Sequence, residues 1–422
     1  MPTSLPSVSI VAFALLSTLT IALTRPRLPV VGRLGPAHGA VFGVLIVLLT
    51  GIVQLEVLYD TAVELARPFL TITAIMVLSG AARRVRVLRM LARLAFSGEP
   101  TARRLFDRVF LLSACVSSVL NNDAMVLLLT PLVVDLAAEL WPRRTDVRVA
   151  FAFAVFSAVG VAPLVVANPM NLVVADQAGI GFNAYLVRMG PAALACWIST
   201  WGVLRLIFHR TLSDAGEPAV TAAAPELTPP RRRMLILLGL VVLAYPLASA
   251  FDDRAVTVVA VLGAVGALAI ASAAAPVREV LARDVEWDIL IFLLGVFVLA
   301  VGMQEVGVVD LMASLYTVTG PVGVLGGAAM GSALINNHPV AILNLLALEQ
   351  VPWAGQREIL MALAGGDIGP RLLPNGSLAG LLWLAACRRS GLVVSVRAFV
   401  VLGVATSVPA LAAAGVVLWW LA

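Results

Sequence analysis

Apolar stretches long enough to cross a bilayer recur from residue 8 to the end of the chain. In hydrocarbon every backbone N–H and C=O must be paired inside the protein, so continuous apolar runs of this length read as helices. Hydrophobic residues make up 61% of the 422 and charged residues 13%, with a mean hydropathy of +1.00, which places the chain among all-α polytopic membrane proteins. The first run ends in Thr24-Arg25-Pro26 rather than a small-residue cleavage pattern, so a retained helix is expected. All 29 basic residues are arginine, the net charge is +5 and the pI is about 9.7. The arginines cluster between apolar runs, where they report topology and not a nucleic-acid partner. Cys115, Cys196 and Cys387 lie far apart without metal-ligand spacing, so neither a disulfide framework nor a metal site is expected.

Short cytoplasmic loops carry the positive excess. Arg25, Arg27 and Arg33 put loop 25–37 inside and the N-terminus outside, while loop 56–66, with Glu56, Asp60 and Glu64, lies outside. The span at 67–82 returns to eight arginines between Arg83 and Arg108, where Val85, Leu88, Leu91 and Leu94 suggest an interfacial amphipathic helix.

Polar residues then interrupt the apolar pattern at matching places in the two halves. Residues 110–140 are apolar except at Asn121-Asn122-Asp123 and have basic flanks at both ends, which predicts a re-entrant hairpin with its tip at mid-membrane. Residues 149–180 are broken at Ala167-Asn168-Pro169-Met170-Asn171, an unwound point inside a span. Residues 211–233, rich in Pro, Ala and Thr and closing in Arg231-Arg232-Arg233, read as a cytoplasmic linker between a first repeat, 1–210, and a second, 234–422. Residues 298–313 align without gaps to 77–92, with Gln304, Glu305 and Asp310 in place of arginines, as expected on the opposite membrane side. A second hairpin, about 320–350 with its tip at Asn336-Asn337-His338-Pro339, and a second broken helix, about 357–387 with its break at Leu373-Pro374-Asn375-Gly376-Ser377, follow. Five crossings per half invert the second repeat, giving about ten crossing segments, two hairpins and two broken helices.

Polar groups at membrane depth are costly and mark solute or ion pathways. The candidate substrate-binding residues are Asn121, Asn122, Asn168, Asn171, Asn336, Asn337, Asn375 and Ser377, whose amides and hydroxyl both donate and accept. The same types also suit N-caps of half-helices, a role compatible with binding. Candidates for proton coupling are Asp123, Asp367, Arg371 and His338. Asp367 and Arg371, four apart, would share a helix face as an ion pair, either structural or a proton switch. His338 either titrates or hydrogen-bonds as a neutral ring. His38 and His209 read as interfacial loop residues, and the cysteines as small buried hydrophobes rather than a thiol site.

At these motifs the chain resembles the arsenite/antimonite efflux permeases, the ArsB family of the ion-transporter superfamily. The likeness is carried by Asn122-Asp123-Ala-Met-Val-Leu-Leu-Leu-Thr130-Pro131, by Asn168 and Asn171, by Asn336-Asn337-His338-Pro339, and by Gly366-Asp367-Ile-Gly369-Pro370-Arg371 with Pro374-Asn375-Gly376-Ser377. It covers nearly the whole chain and is weakest at residues 1–65 and the linker. It implies a multi-pass plasma-membrane carrier exporting As(III) or Sb(III) in exchange for protons, powered by the proton gradient and needing no cofactor. A cytoplasmic ATPase subunit and a homodimer are the protein partners it leaves open. Two departures bear on the substrate more than on the fold: the family usually has an apolar residue where His338 stands, and Thr-Pro-Ile-Gly-Ser where this chain has Leu373-Pro374-Asn375-Gly376-Ser377. The competing expectation is a sodium/proton antiporter or sodium-coupled anion carrier of the same superfamily, although carboxylate carriers typically show Ser-Asn-Thr at the tips. No Gly-x-Ser-x-Gly or His-Glu-x-x-His motif supports an intramembrane enzyme.

Overall fold

A computed structural model describes residues 5–28, 32–98, 101–120, 122–220 and 224–421. The first half contains α1 (Leu5–Thr24), a two-residue pairing of β1 (Arg27–Leu28) with β2 (Gly32–Arg33), α2 (Pro36–Leu49), α3 (Leu55–Glu64), α4 (Ala66–Arg84) and α5 (Val87–Phe96). It continues through α6 (Ala102–Val119), α7 (Asn122–Leu140), α8 (Thr145–Ala158), α9 (Pro169–Gln177), α10 (Phe182–Ile207) and the short α11 (His209–Ser213). The second half comprises α12 (Pro229–Ser249), α13 (Arg254–Ala271), α14 (Val277–Arg283), α15 (Trp287–Glu305), α16 (Val308–Leu334), α17 (Asn337–Glu349), α18 (Gln356–Ile368), α19 (Leu378–Arg389) and α20 (Val396–Leu421).

The two halves run through one series of elements, α1 to α10 matching α12 to α20. The difference is that α16 does the work of both α5 and α6, with a kink at Gly320 (φ 68°, ψ −168°) before Pro321 in place of the loop between them. A positive φ is cheap only for glycine, and the proline removes the next N–H from the ladder, so the helix turns there. Seven helices among the described residues are long and apolar enough to cross, and the bent pair α3–α4 makes an eighth. Leaving aside α16, half of which is a hairpin arm, α1, α10, α12, α13, α15, α20 and the bent pair α3–α4 are long enough to cross, and the 14-residue α2 and the broken pairs α8–α9 and α18–α19 take the remaining places. This is the expected architecture.

The second hairpin, from Pro321 through α17, has arms of about 20 Å at 1.5 Å per residue, short of a roughly 30 Å hydrocarbon core. In the first hairpin α6 begins at Ala102 rather than near 110, adding two turns that carry Arg103, Arg104, Asp107 and Arg108. Both breaks are longer than expected: the first is unwound from Val159 to Asn168 apart from a 3-10 turn, and the second runs from Gly369 to Ser377 through two 3-10 turns. In α5 the buried stripe is Val87, Leu88, Ala92 and Phe96, with Leu91 half-buried; Leu94 points outward and Val85 lies in the preceding turn.

Polar contacts between segments sort into two sets, each joining ends that the arginine pattern puts on one side. On the side that the arginine pattern puts in the cytoplasm, Arg84 pairs with Asp284 (2.7 Å) and Glu279 (2.9 Å), Arg83 also pairs with Asp284, and Arg148 donates to the Ser390 carbonyl (2.7 Å). On the other side Arg67 pairs with Asp176, Arg188 donates to Gln356 (2.6 Å), and Asp253 accepts the Phe182 N–H (3.1 Å). The described residues on either side of 221–223 make local contacts. Ala219 N–H bonds the Leu140 carbonyl and Trp141 Nε1 the Gly216 carbonyl, and Arg231–Arg233 belong to the first turn of α12.

Candidate functional site

Four helix N-termini meet in the interior, those of α7, α9, α17 and α19, each started by the polar residues that interrupt the apolar sequence. Asn168 Oδ1 accepts the Met170 N–H (3.0 Å), Asn336 Oδ1 the His338 N–H (3.2 Å) and Ser377 Oγ the Gly380 N–H (3.1 Å). The capping role is therefore real. It leaves the Asn168 amide nitrogen free to bind elsewhere.

Asn168 Nδ2 donates to Asp367 Oδ1 (2.7 Å) and Asn171 Nδ2 to Asp367 Oδ2 (2.8 Å), so the carboxylate of one broken helix is held by both amides of the other. Asn171 Nδ2 also reaches the Tyr185 hydroxyl (2.9 Å), which donates to the Ala162 carbonyl (3.2 Å). Arg371 turns away. Its Nε and Nη2 donate to the Val159 carbonyl (3.2 and 3.0 Å) and its Nη1 to Thr200 (3.2 Å). The expected Asp367–Arg371 ion pair is absent among the described residues because α18 ends at Ile368 and Arg371 sits in a 3-10 turn, where four residues no longer return to the same face. Arg371 is only 2% exposed, and its charge is met by oxygen dipoles.

Residues 149–175 of the first broken helix contain no charged residue, whereas the second carries Asp367 and Arg371 ahead of its N-cap Ser377. The charged pair thus belongs to the second repeat alone. A Cβ on Gly160 would overlap Arg371 Nη2, so the glycine of one repeat makes room for the guanidinium of the other. Gly365 and Gly369 bring α18 against α16, where a Cβ would overlap the Leu325 and Ala329 carbonyl oxygens respectively, fixing the second broken helix on the second hairpin.

These elements enclose a cavity of about 50 Å³ lined by Asn122, Asn168, Asn337, His338, Asp367, Arg371 and Ser377. Asn171 stands behind it as a support for Asp367, and Asn336 faces the neighbouring space. Asn121 lies outside the described residues. Asp123 falls in the first turn of α7 and Asn375 in the 3-10 turn Pro374–Gly376, and their side chains are likewise outside the description. Tyr185, Thr200 and Gly160 were not singled out in the sequence, because one hydroxyl or one glycine inside an apolar run carries no signal of its own. A small space beside His338 is lined by Pro36, Ile289, Phe292 and Asn336, and Pro36 and Ile289 also line a separate cavity of about 360 Å³ bordered by Arg25, Glu286, Asp288, Leu127 and Leu382.

Two broken helices and two hairpin tips converging on a buried polar cavity in a helical membrane bundle define a membrane transporter. The chain belongs to the citrate transporter family, which it matches over residues 19–366. It is 25% identical over 414 residues to the arsenical pump membrane protein of Escherichia coli K12, covering 93% of this chain and 94% of that one. Over 332 residues it is 28% identical to a second Escherichia coli protein of that description, covering 74% and 76%. An uncharacterized transporter of Mycobacterium tuberculosis is 30% identical over 397 residues, covering 89% and 90%. The crystal structure of the Alcanivorax borkumensis YdaH transporter shares the fold, with a TM-score of 0.57 at 18% identity over 98% of this chain and 97% of that one. The protein is accordingly a multi-pass membrane protein of the ion-transporter type.

Proposed function

We propose that the protein exports arsenite or antimonite, as the small neutral hydroxide, from the cytoplasm in exchange for protons. The observation that carries this reading is the bond of Asp367 to Asn168 and Asn171 across the two repeats. Protonating that carboxylate weakens the link between the two broken helices, which couples a proton to their movement. Asp123 at the first hairpin is the second candidate for the proton. Cavity size supports a small solute: at about 10–15 Å³ per water position, about 50 Å³ holds only a few water-sized groups.

The test is arsenite uptake into inside-out vesicles under an imposed pH gradient, with and without sodium. Sodium-independent uptake that collapses with the gradient and is lost in Asp367→Asn is expected. Uptake retained in both Asp367→Asn and Asp123→Asn would refute the coupling assignment. The second reading is a sodium-coupled anion carrier, favoured by the buried Arg371 beside the cavity and by the family's description. It predicts sodium-dependent citrate flux in the same vesicles and none of arsenite.

A further inference from the structure

The second hairpin tip carries a polar arrangement that the proton and capping roles do not use. Asn336 has φ 149° and ψ 150°, a conformation L-residues rarely adopt, and its Oδ1 accepts both the backbone N–H of His338 (3.2 Å) and His338 Nδ1 (2.9 Å). A backbone N–H can only donate, so the Asn336 atom facing it is the amide oxygen. That oxygen can only accept, so His338 Nδ1 carries the ring proton. Nε2 is left as a bare acceptor on a ring packed edge-on to Phe292 (5.8 Å). In the next position Asn337 Oδ1 is buried without a hydrogen-bond partner among the described residues. Both residues line the cavity. Across it Asn168 Nδ2 gives one hydrogen to Asp367 and Arg371 gives three of its five to Val159 and Thr200, and neither residue reaches His338 or Asn337.

A buried unmet acceptor, Asn337 Oδ1, beside a second acceptor on the cavity lining, His338 Nε2, favours a solute that brings O–H donors. An ionised carboxylate or oxyanion has none to give on its charged oxygens, whereas a neutral hydroxide offers one on every oxygen. We infer that His338 and Asn337 form the specificity element of the cavity, accepting hydrogen bonds from a neutral polyhydroxide and discriminating against anions. This rests on the transport reading above and names the solute class of the same cavity. It gives His338 a binding role in its neutral form.

The experiment measures equilibrium binding of arsenite, boric acid and citrate to the full-length protein in detergent, for the wild type, His338→Phe and His338→Gln. Monodispersity and melting temperature are checked for each. Phenylalanine keeps the ring against Phe292 and removes the acceptor; glutamine restores one. Arsenite binding at least tenfold weaker in His338→Phe, recovered to within about threefold in His338→Gln, with citrate unaffected, is the expected result. Arsenite bound equally by the wild type and a folded His338→Phe would overturn the inference and leave the proposed substrate standing. Boric acid bound in a His338-dependent way without arsenite would do the reverse. Citrate binding alone, or binding of none of the three, would overturn the inference.

Discussion

Gly160 is where a single methyl group has the clearest consequence. A Cβ there would meet Arg371 Nη2, so Gly160→Ala obliges the tip of the guanidinium to shift on the Val159 carbonyl. Overpacking costs about 1–3 kcal/mol, yet the larger effect falls on function, because a buried cation is shifted on its oxygen partner. Uptake by Gly160→Ala in vesicles is expected to fall more than tenfold while the protein stays monodisperse on gel filtration. Asn168→Ala removes a cap worth about 1 kcal/mol together with one of the two amides on Asp367. It is expected to lower the melting temperature by a few degrees and to reduce pH-driven uptake.

Among the elements, α19 is held to α8 by Trp383, fully buried among Phe153, Phe156 and Phe399 with its Nε1 on the Ala152 carbonyl (3.2 Å). Trp383→Ala is expected to destabilise by about 3–5 kcal/mol, read as a lower unfolding midpoint in detergent, with Trp383→Phe costing much less. The hairpins and breaks themselves were legible in the sequence because Asn, Asp and Pro are costly inside an apolar run unless the helix is interrupted there. Their extent was not. Residues 159–164 are Val-Gly-Val-Ala-Pro-Leu, and apolar side chains look the same on a helix as on an unwound strand buried in protein. The Asp367–Arg371 pairing failed for the same reason, since helical spacing was carried past a helix end that only tertiary packing sets. Asn171 was placed in the cavity by its proximity to Asn168, whereas Tyr185, fourteen residues further on, holds it in the second rank.

At the scale of the molecule, cavities lie to both sides of the site. One of about 360 Å³ is bordered by Arg25, Glu286 and Asp288, on the side that the arginine pattern puts in the cytoplasm, and one of about 130 Å³ on the opposite side is lined by Arg67 of α4 and Asp176 of α9, which pair with each other. This ion pair is half-buried, with the Asp176 side chain 18% exposed, and in the transport proposed above it is a contact that separation of α4 from α9 would break. With Cys115→Ser as background, oxidising an Arg67→Cys/Asp176→Cys pair is expected to stop uptake and reduction to restore it. Unchanged uptake after complete cross-linking would show that these helices do not separate during transport.

The confinement of Asp367 and Arg371 to one repeat has an energetic consequence for the cycle. Two chemically identical inverted repeats that traded conformations would make the inward-open and outward-open states mirror images of equal free energy, and an empty carrier would divide its time evenly between them. Here the carboxylate and guanidinium of the second broken helix have no charged counterpart in residues 149–175, so an exchange of conformations between the repeats would pass between two chemically different states and give the empty carrier a preferred side. In the export proposed above, that preference would set the face at which the empty carrier waits for its cargo.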